Sequence, residues 1–169
     1  MTRGVKWFNV LLLLLLLVSV YCGDKTPESN TPSGNRSFAF NLVTLEGKNV
    51  NLAGYEGKVL LLNIWDTWCP PCRAEIPYFI EFYNEYQSKG FEILGVALGQ
   101  EGLNKVQSFI QQYGINYPNA LATQEVINGF GPINGIPTTF LIDRKGNVSQ
   151  KYVGMRDKET FRKDIRALL

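Results

Sequence analysis

A continuous apolar run in the middle of the chain, Val59-Leu60-Leu61-Leu62-Asn63-Ile64, restricts the possible folds most. A short run with so little polar alternation is typical of a β-strand that is covered on both faces. Residues 91–98 form a second run of the same kind. Between the two runs, apolar residues recur at helical spacing up to Gly90, which predicts a helix that ends there. This strand–helix–strand order predicts an α/β fold, a central sheet with helices on both faces.

The rest of the chain extends this pattern in both directions. The other predicted elements are a β-hairpin over residues 38–42 and 50–52, a helix over 103–113, strands over 138–142 and 148–153, and a final helix that begins at Asp157. Residues 116–135 have the weakest pattern and hold at most a short helix, around residues 125–130.

The N-terminal segment is typical of an export signal. Arg3 and Lys6 precede an apolar run over residues 10–20, which contains seven consecutive leucines. A buried core helix fits poorly, because the leucines leave no polar face. Cys22 follows the run as the lipidated cysteine follows a bacterial lipoprotein signal, although Tyr21 stands where a small residue is usual. We therefore expect a lipid on Cys22, with an uncleaved membrane anchor as the alternative.

These features divide the chain into three parts. Residues 1–22 are the predicted signal or anchor, and residues 23–37, which hold no large apolar residue, are the predicted flexible linker. Residues 38–169 are the predicted folded domain. Either form of the N-terminus tethers this domain to a membrane, so we expect it in the cell envelope, facing the periplasm or the exterior.

Charge and histidine content exclude several classes of function. Lys and Arg total 17 against 15 for Asp and Glu, and two of the basic residues precede the first apolar run. The body is therefore neutral, which argues against a nucleic-acid partner. The chain has no histidine, which excludes Ser-His-Asp and Cys-His nucleophilic sites and His-ligated metals. We predict no metal and no cofactor.

The segment that carries chemistry is Trp68-Cys69-Pro70-Pro71-Cys72, which follows the first core strand and opens a helix. Two cysteines three residues apart in a first helical turn lie on one face, close enough for a disulfide. Cys69 lies at the helix N-terminus, where free N–H groups and the macrodipole stabilise a thiolate. The pattern predicts thiol–disulfide exchange, with Cys69 attacking and Cys72 resolving the mixed disulfide.

Two alternatives account less well for the cysteine pair. A zinc site would lack half of its ligands, because Cys22 is distant and no histidine is available. Inert core cysteines are rarely separated by two prolines and preceded by a tryptophan.

A second motif, Gly135-Ile136-Pro137-Thr138-Thr139-Phe140, places a proline directly before a predicted strand. A cis peptide there would leave the backbone of Ile136 free to pair with an extended partner. Spacing alone leaves the cis and trans forms open, and an ordinary trans proline is the commoner case.

Two segments together resemble the TlpA/ResA-like branch of the thioredoxin superfamily. They are NIWDTWCPPCRAEIP at residues 63–77 and GIPTTFLID at residues 135–143. The resemblance covers roughly residues 38–169 and implies a thioredoxin-like fold. That fold has a central mixed β-sheet flanked by helices, an extra N-terminal β-hairpin, and an insertion before the cis-proline strand. Residues 116–135 fall where the insertion belongs.

The resemblance also implies roles for individual residues. Cys69 and Cys72 would form the redox disulfide, with Pro137 as the cis-proline that faces them. Glu75 would lie beside the pair, where related proteins use a glutamate. The residues expected to bind substrate are Trp68, Pro70, Pro71, Ile136 and Pro137.

The resemblance implies partners as well. Members of this branch are anchored outside the cytoplasm and reduce protein disulfides, for instance in apocytochrome c during haem attachment. A membrane or extracytoplasmic protein would supply their electrons. A thiol peroxidase is the alternative enzyme class, and a non-catalytic thioredoxin-like binding module is the third hypothesis; the intact cysteine pair counts against the latter.

Two residues depart from the family pattern. Asn63 stands where thioredoxin itself has a buried aspartate, so that proton relay is absent. Asp66 stands where a small residue is usual, and an acid directed at Cys69 would disfavour its thiolate. A peroxidase would carry a threonine at the position of Asp66.

Overall fold

The structure, a computed structural model, describes residues 40–169. The predicted signal or anchor, the predicted linker and Cys22 lie outside the described residues. Within residues 40–169, no helix is both long enough and apolar enough to cross a membrane.

Strands and helices alternate much as the sequence predicts. The strands are β1 (Asn41–Val43), β2 (Asn49–Asn51), β3 (Val59–Trp65), β4 (Phe91–Ala97), β5 (Asn119–Leu121), β6 (Thr138–Ile142) and β7 (Val148–Val153). The helices are α1 (Pro70–Tyr86), α2 (Leu103–Tyr113), α3 (Gln124–Gly129) and α4 (Lys158–Leu168), with 3-10 turns at Leu52–Tyr55 and Gln87–Lys89.

The centre of the fold is a five-stranded mixed sheet in the order β5-β4-β3-β6-β7. Strands β3, β4 and β5 are parallel, whereas β6 is antiparallel to both β3 and β7. Every residue of β3 is buried, which confirms the prediction of a strand covered on both faces. The fold is thioredoxin-like, as the resemblance implies.

The side chains of β3 alternate between two apolar clusters, because successive residues of a strand point to opposite faces. Val59 and Leu61 pack with Phe79 of α1 and Phe161 of α4 on one face. On the opposite face, Leu60 and Leu62 pack in a cluster with the N-terminal hairpin and α3. The sheet is therefore a rigid support for whatever lies at the carboxyl end of β3.

The N-terminal hairpin of β1 and β2 is antiparallel, as predicted, and it meets the central sheet at β5. Thr44 forms an isolated bridge with Ala120, and the N–H of Leu45 donates to the carbonyl of Asn119 at 2.7 Å. Strand β5 corrects the expectation that residues 116–135 hold at most a short helix. Its three residues pair with β4 on one side and meet the hairpin on the other, so tertiary contacts rather than local pattern define the strand.

The predicted helix ends are confirmed. Gly90 and Gly114 end their helical segments at φ 84° and 64°, in the left-handed region where glycine has no Cβ to clash. Asp157 caps α4 by accepting the N–H of Thr160 at 2.9 Å.

Candidate active site

The two cysteines lie at the carboxyl end of β3, where α1 begins. They form a disulfide with Cα atoms 5.3 Å apart, and each cysteine is 2% exposed. Cys69 is the N-cap of α1, and its Sγ accepts the backbone N–H of Cys72 at 3.2 Å. Pro70 and Pro71 occupy the first helical positions, where a missing N–H costs little. The sulfur of Cys69 therefore occupies the acceptor position at which a helix N-terminus stabilises negative charge.

The proline motif lies at the same end of the sheet. The register pairs Ile64 of β3 with Thr138 of β6, so Pro137 directly precedes the last pair. The Ile136–Pro137 peptide bond is cis, and the Pro137 carbonyl accepts the N–H of Gly154 at 2.8 Å. Among the hydrogen bonds of residues 40–169, none involves the backbone of Ile136. Its side chain packs against the apolar cluster that contains both cysteines.

Glu75 lies on α1 three residues after Cys72, a spacing that places both side chains on one helix face. Its side chain is fully buried. Oε1 accepts the N–H of Arg156 at 2.8 Å, and Oε2 has no hydrogen-bond partner within residues 40–169. Burial raises the pKa of Glu75 to about 7, although the N–H and the charge of Arg156 lower it. A carboxyl group with this pKa can take up or release a proton near neutral pH.

Two residues near Glu75 have no predicted role in the sequence. Arg156 contributes a backbone N–H, which any residue except proline would supply, so no sequence signal could have identified it. Tyr117 lies in the segment of weakest pattern. Burial raises the pKa of the Tyr117 phenol, and the nearby charge of Glu75 raises it further.

The residues predicted to bind substrate differ in exposure. Trp68 is 47% exposed and Pro70 is exposed, whereas Pro71 and Ile136 are half-buried and Pro137 is buried. Two further apolar side chains, Val153 and Met155, are 46% and 50% exposed on either side of Gly154, the residue that binds the Pro137 carbonyl. Exposed apolar side chains thus lie next to both motifs, on the adjoining loops or at the end of β7.

The two departures from the family pattern each have structural partners. The Nδ2 amide of Asn63 donates to Oγ1 of Thr139 at 2.9 Å, a side-chain bond between β3 and β6. Asp66 is buried, and both of its carboxylate oxygens accept N–H groups from outside the cysteine pair. The N–H of Cys69 instead donates to the main-chain carbonyl of Asp66, at 3.3 Å.

The chain is similar to known proteins over most of its length. Residues 23–169 match the Redoxin family. The thiol-disulfide oxidoreductase ResA of Geobacillus thermodenitrificans is 37% identical over 164 residues, 95% of this chain and 93% of that protein. ResA of Bacillus subtilis is 32% identical over 148 residues, 86% of this chain and 82% of that protein.

The chain is also similar to solved structures of thiol:disulfide interchange proteins. A thiol:disulfide interchange protein of the thioredoxin family from Chlorobium tepidum TLS has a TM-score of 0.72 and 40% identity, covering 77% of this chain and 92% of its own. A putative thiol:disulfide interchange protein DsbE from Chlorobium tepidum has a TM-score of 0.73 and 32% identity, and the match covers 80% of this chain and 96% of that chain. The chain therefore belongs to the Redoxin family, as a ResA-like thiol-disulfide oxidoreductase with a thioredoxin-like fold.

Proposed function

We propose that this oxidoreductase reduces protein disulfides outside the cytoplasm, by exchange at Cys69 and Cys72, while its N-terminal segment tethers it to a membrane. The observation that carries the proposal is the hydrogen bond from the N–H of Cys72 to Sγ of Cys69 at the start of α1. When the disulfide is reduced, the same N–H and the helix dipole favour a thiolate at Cys69. The thiolate is the attacking species in thiol–disulfide exchange.

In the first step, the Cys69 thiolate attacks one sulfur of a substrate disulfide. A mixed disulfide forms between Cys69 and the substrate, and the other substrate sulfur leaves as a thiolate that takes a proton from solvent. In the second step, Cys72 attacks Sγ of Cys69, which closes the protein disulfide and releases the second substrate thiolate. The substrate gains two electrons, and the cysteine pair loses two.

Glu75 assists the second step. Cys72 must lose its proton before it attacks, and Glu75 lies on the same face of α1. Because its pKa is about 7, the carboxyl group is poised to accept that proton near neutral pH. It then returns the proton to the departing substrate sulfur or to solvent.

The substrate is a protein segment that docks beside the disulfide. The backbone of Ile136, which has no hydrogen-bond partner within residues 40–169, is available to an extended chain, and the exposed side chains of Trp68 and Met155 offer apolar contacts. The resemblance to the TlpA/ResA-like branch supports reduction as the direction and apocytochrome c as a substrate. A membrane or extracytoplasmic dithiol protein then reduces the Cys69–Cys72 disulfide again.

The tether is a lipid on Cys22. The position of Cys22 after the apolar run supports this form over an uncleaved anchor. Metabolic labelling with a fatty acid tests the choice: wild-type protein takes up the label and Cys22→Ser does not. Unlabelled wild-type protein that still sediments with membranes would favour the uncleaved anchor.

The exchange chemistry is tested by trapping the mixed disulfide. Full-length Cys72→Ser, expressed in its own host, should form mixed-disulfide adducts with envelope proteins. A reductant should cleave these adducts. The matched control, Cys69→Ser, should form none. In parallel, reduced wild-type protein should reduce the disulfides of insulin. Consumption of peroxide without insulin reduction would favour a peroxidase, and absence of adducts and of insulin reduction would favour a binding module.

A further inference from the structure

One buried carboxylate, that of Asp66, connects the turn before Cys69 to a neighbouring loop. Asp66 is 0% exposed. Its Oδ1 accepts the backbone N–H of Thr67 at 2.7 Å. Its Oδ2 accepts both the indole N–H of Trp68, at 3.0 Å, and the backbone N–H of Gln100, at 3.1 Å. Hydrogen bonds to a carboxylate are stronger than those between neutral groups, so this arrangement holds its donors firmly.

A second bond joins the same two segments. Oγ1 of Thr67 donates to Oε2 of Glu101 at 2.5 Å. The turn between β3 and α1 is therefore attached at two points to the loop that follows β4. Local sequence could not reveal this, because Gln100 and Glu101 are more than thirty residues from the turn.

The indole of Trp68 is hydrogen-bonded to Asp66, yet the side chain remains exposed to solvent. Trp68 is 47% exposed and directly precedes Cys69. An exposed aromatic side chain samples several rotamers unless a bond selects one. The bond to Asp66 selects one, so an aromatic face with a single orientation lies beside the cysteine pair.

We propose that Asp66 is a positioning residue that holds the Trp68 indole as a fixed platform for the polypeptide on either side of a substrate disulfide. The proposal rests on the exchange function proposed above. A rigid aromatic side chain loses little conformational entropy when a partner packs on it. A small-molecule disulfide can react with Cys69 without covering the indole. Asp66 therefore acts through Trp68 on the preference for protein disulfides over small ones.

The test compares two oxidants of the reduced full-length protein in detergent: insulin and 5,5′-dithiobis(2-nitrobenzoic acid). The readout is the single-turnover rate constant with insulin divided by that with 5,5′-dithiobis(2-nitrobenzoic acid). This ratio cancels any general change in the reactivity of Cys69. Asp66→Asn has one accepting oxygen instead of two, so it cannot hold Thr67 and Trp68 together. Its neutral amide also removes the charge that strengthens the bond to the indole of Trp68 in either orientation. We expect its ratio to fall about tenfold, the order of effect of losing one charge-assisted hydrogen bond.

Two further variants complete the comparison. Trp68→Phe keeps a ring but loses the indole donor, so its ratio should fall as well, and the double variant should fall little further because both changes break one interaction. The matched control is Asp143→Asn, since Asp143 accepts the N–H groups of Lys145 and Asn147 in the turn between β6 and β7, at the opposite end of the sheet. Its ratio should equal that of the wild type.

Unchanged ratios in Asp66→Asn and Trp68→Phe would overturn the inference, as would additive losses in the double variant. If Asp66→Asn does not fold, the surface variant Trp68→Phe decides alone. Failure of the wild type to react with either oxidant would instead contradict the exchange function itself.

Discussion

A single hydrogen bond joins Glu75 of α1 to Arg156, which lies 81 residues further along the chain: the N–H of Arg156 donates to Oε1 of Glu75 at 2.8 Å. The other carboxylate oxygen is buried without a hydrogen-bond partner within residues 40–169. One neutral donor compensates little of the cost of burying a negative charge. The neutral form of Glu75 is therefore favoured, and its pKa rises to about 7.

The first prediction concerns the pH dependence of stability. The folded protein binds a proton on Glu75 up to about pH 7, whereas an unfolded glutamate releases it near its ordinary value of 4.5. Between these pH values the folded state holds more protons, so the free energy of unfolding falls as pH rises. The fall amounts to roughly 3 kcal/mol by pH 8. Glu75→Gln removes this dependence.

Urea denaturation of the oxidised protein at pH 4.5 and pH 8 measures this difference. The matched control is Glu56→Gln, an exposed glutamate in the loop before β3, which should keep the wild-type pH dependence. A wild-type protein that gains stability between these pH values, relative to Glu75→Gln, would contradict the burial argument.

The second prediction concerns the two thiols of the reduced protein. Because Cys69 is the N-cap of α1 and receives the N–H of Cys72, its thiolate should be the more populated. Iodoacetamide at pH 7 should therefore alkylate Cys69 more than tenfold faster than Cys72. Peptide mass spectrometry after a short pulse measures both. Equal and slow labelling of the two cysteines would argue against Cys69 as the attacking group.

The third prediction concerns the close packing of β4 against β5. A Cβ added at Gly95 would overlap Oδ1 of Asn119 and lie 3.0 Å from Nε1 of Trp65. These two atoms form a hydrogen bond of 3.1 Å across the sheet. Gly95→Ala should therefore lower the free energy of unfolding by about 3 kcal/mol.

Chemical denaturation of Gly95→Ala is compared with that of Gly54→Ala, where the added Cβ meets only Oδ1 of Asn51, at an ordinary 3.6 Å. The control should stay within about 1 kcal/mol of the wild type. If both variants were equally stable, the observed pairing of Trp65 with Asn119 would be wrong.

The fourth prediction concerns the start of α4. The carboxylate of Asp157 accepts both the N–H and the hydroxyl of Thr160, at 2.9 and 2.7 Å. Asp157→Ala removes this cap and should lower the Tm by a few degrees. Asp157→Asn keeps a side-chain acceptor and should melt close to the wild type. Calorimetry of the three proteins checks this, and an equal loss in both variants would point to charge rather than capping.

Much of the fold could be predicted from the sequence because its signals are local. The run at Val59–Trp65, apolar apart from Asn63, predicts a strand covered on both faces, and Gly90 and Gly114 end helical segments because glycine adopts positive φ at low cost. The three-residue strand β5 could not be predicted, since a partner on each side defines it. Its own residues carry too short a pattern.

In the candidate site, too, local sequence determines some features and tertiary contacts determine the others. Residues close together in sequence determined the disulfide and its place at the start of α1, because two cysteines three apart in a first helical turn meet without help from the rest of the chain. Only tertiary structure decided the environment of Glu75 and Asp66. Arg156 donates to Glu75 and Gln100 donates to Asp66 through backbone N–H groups, which nearly every residue type carries. Long-range packing, rather than the identity of these side chains, therefore sets the proton affinity of Glu75 and the hydrogen-bond partners of Asp66.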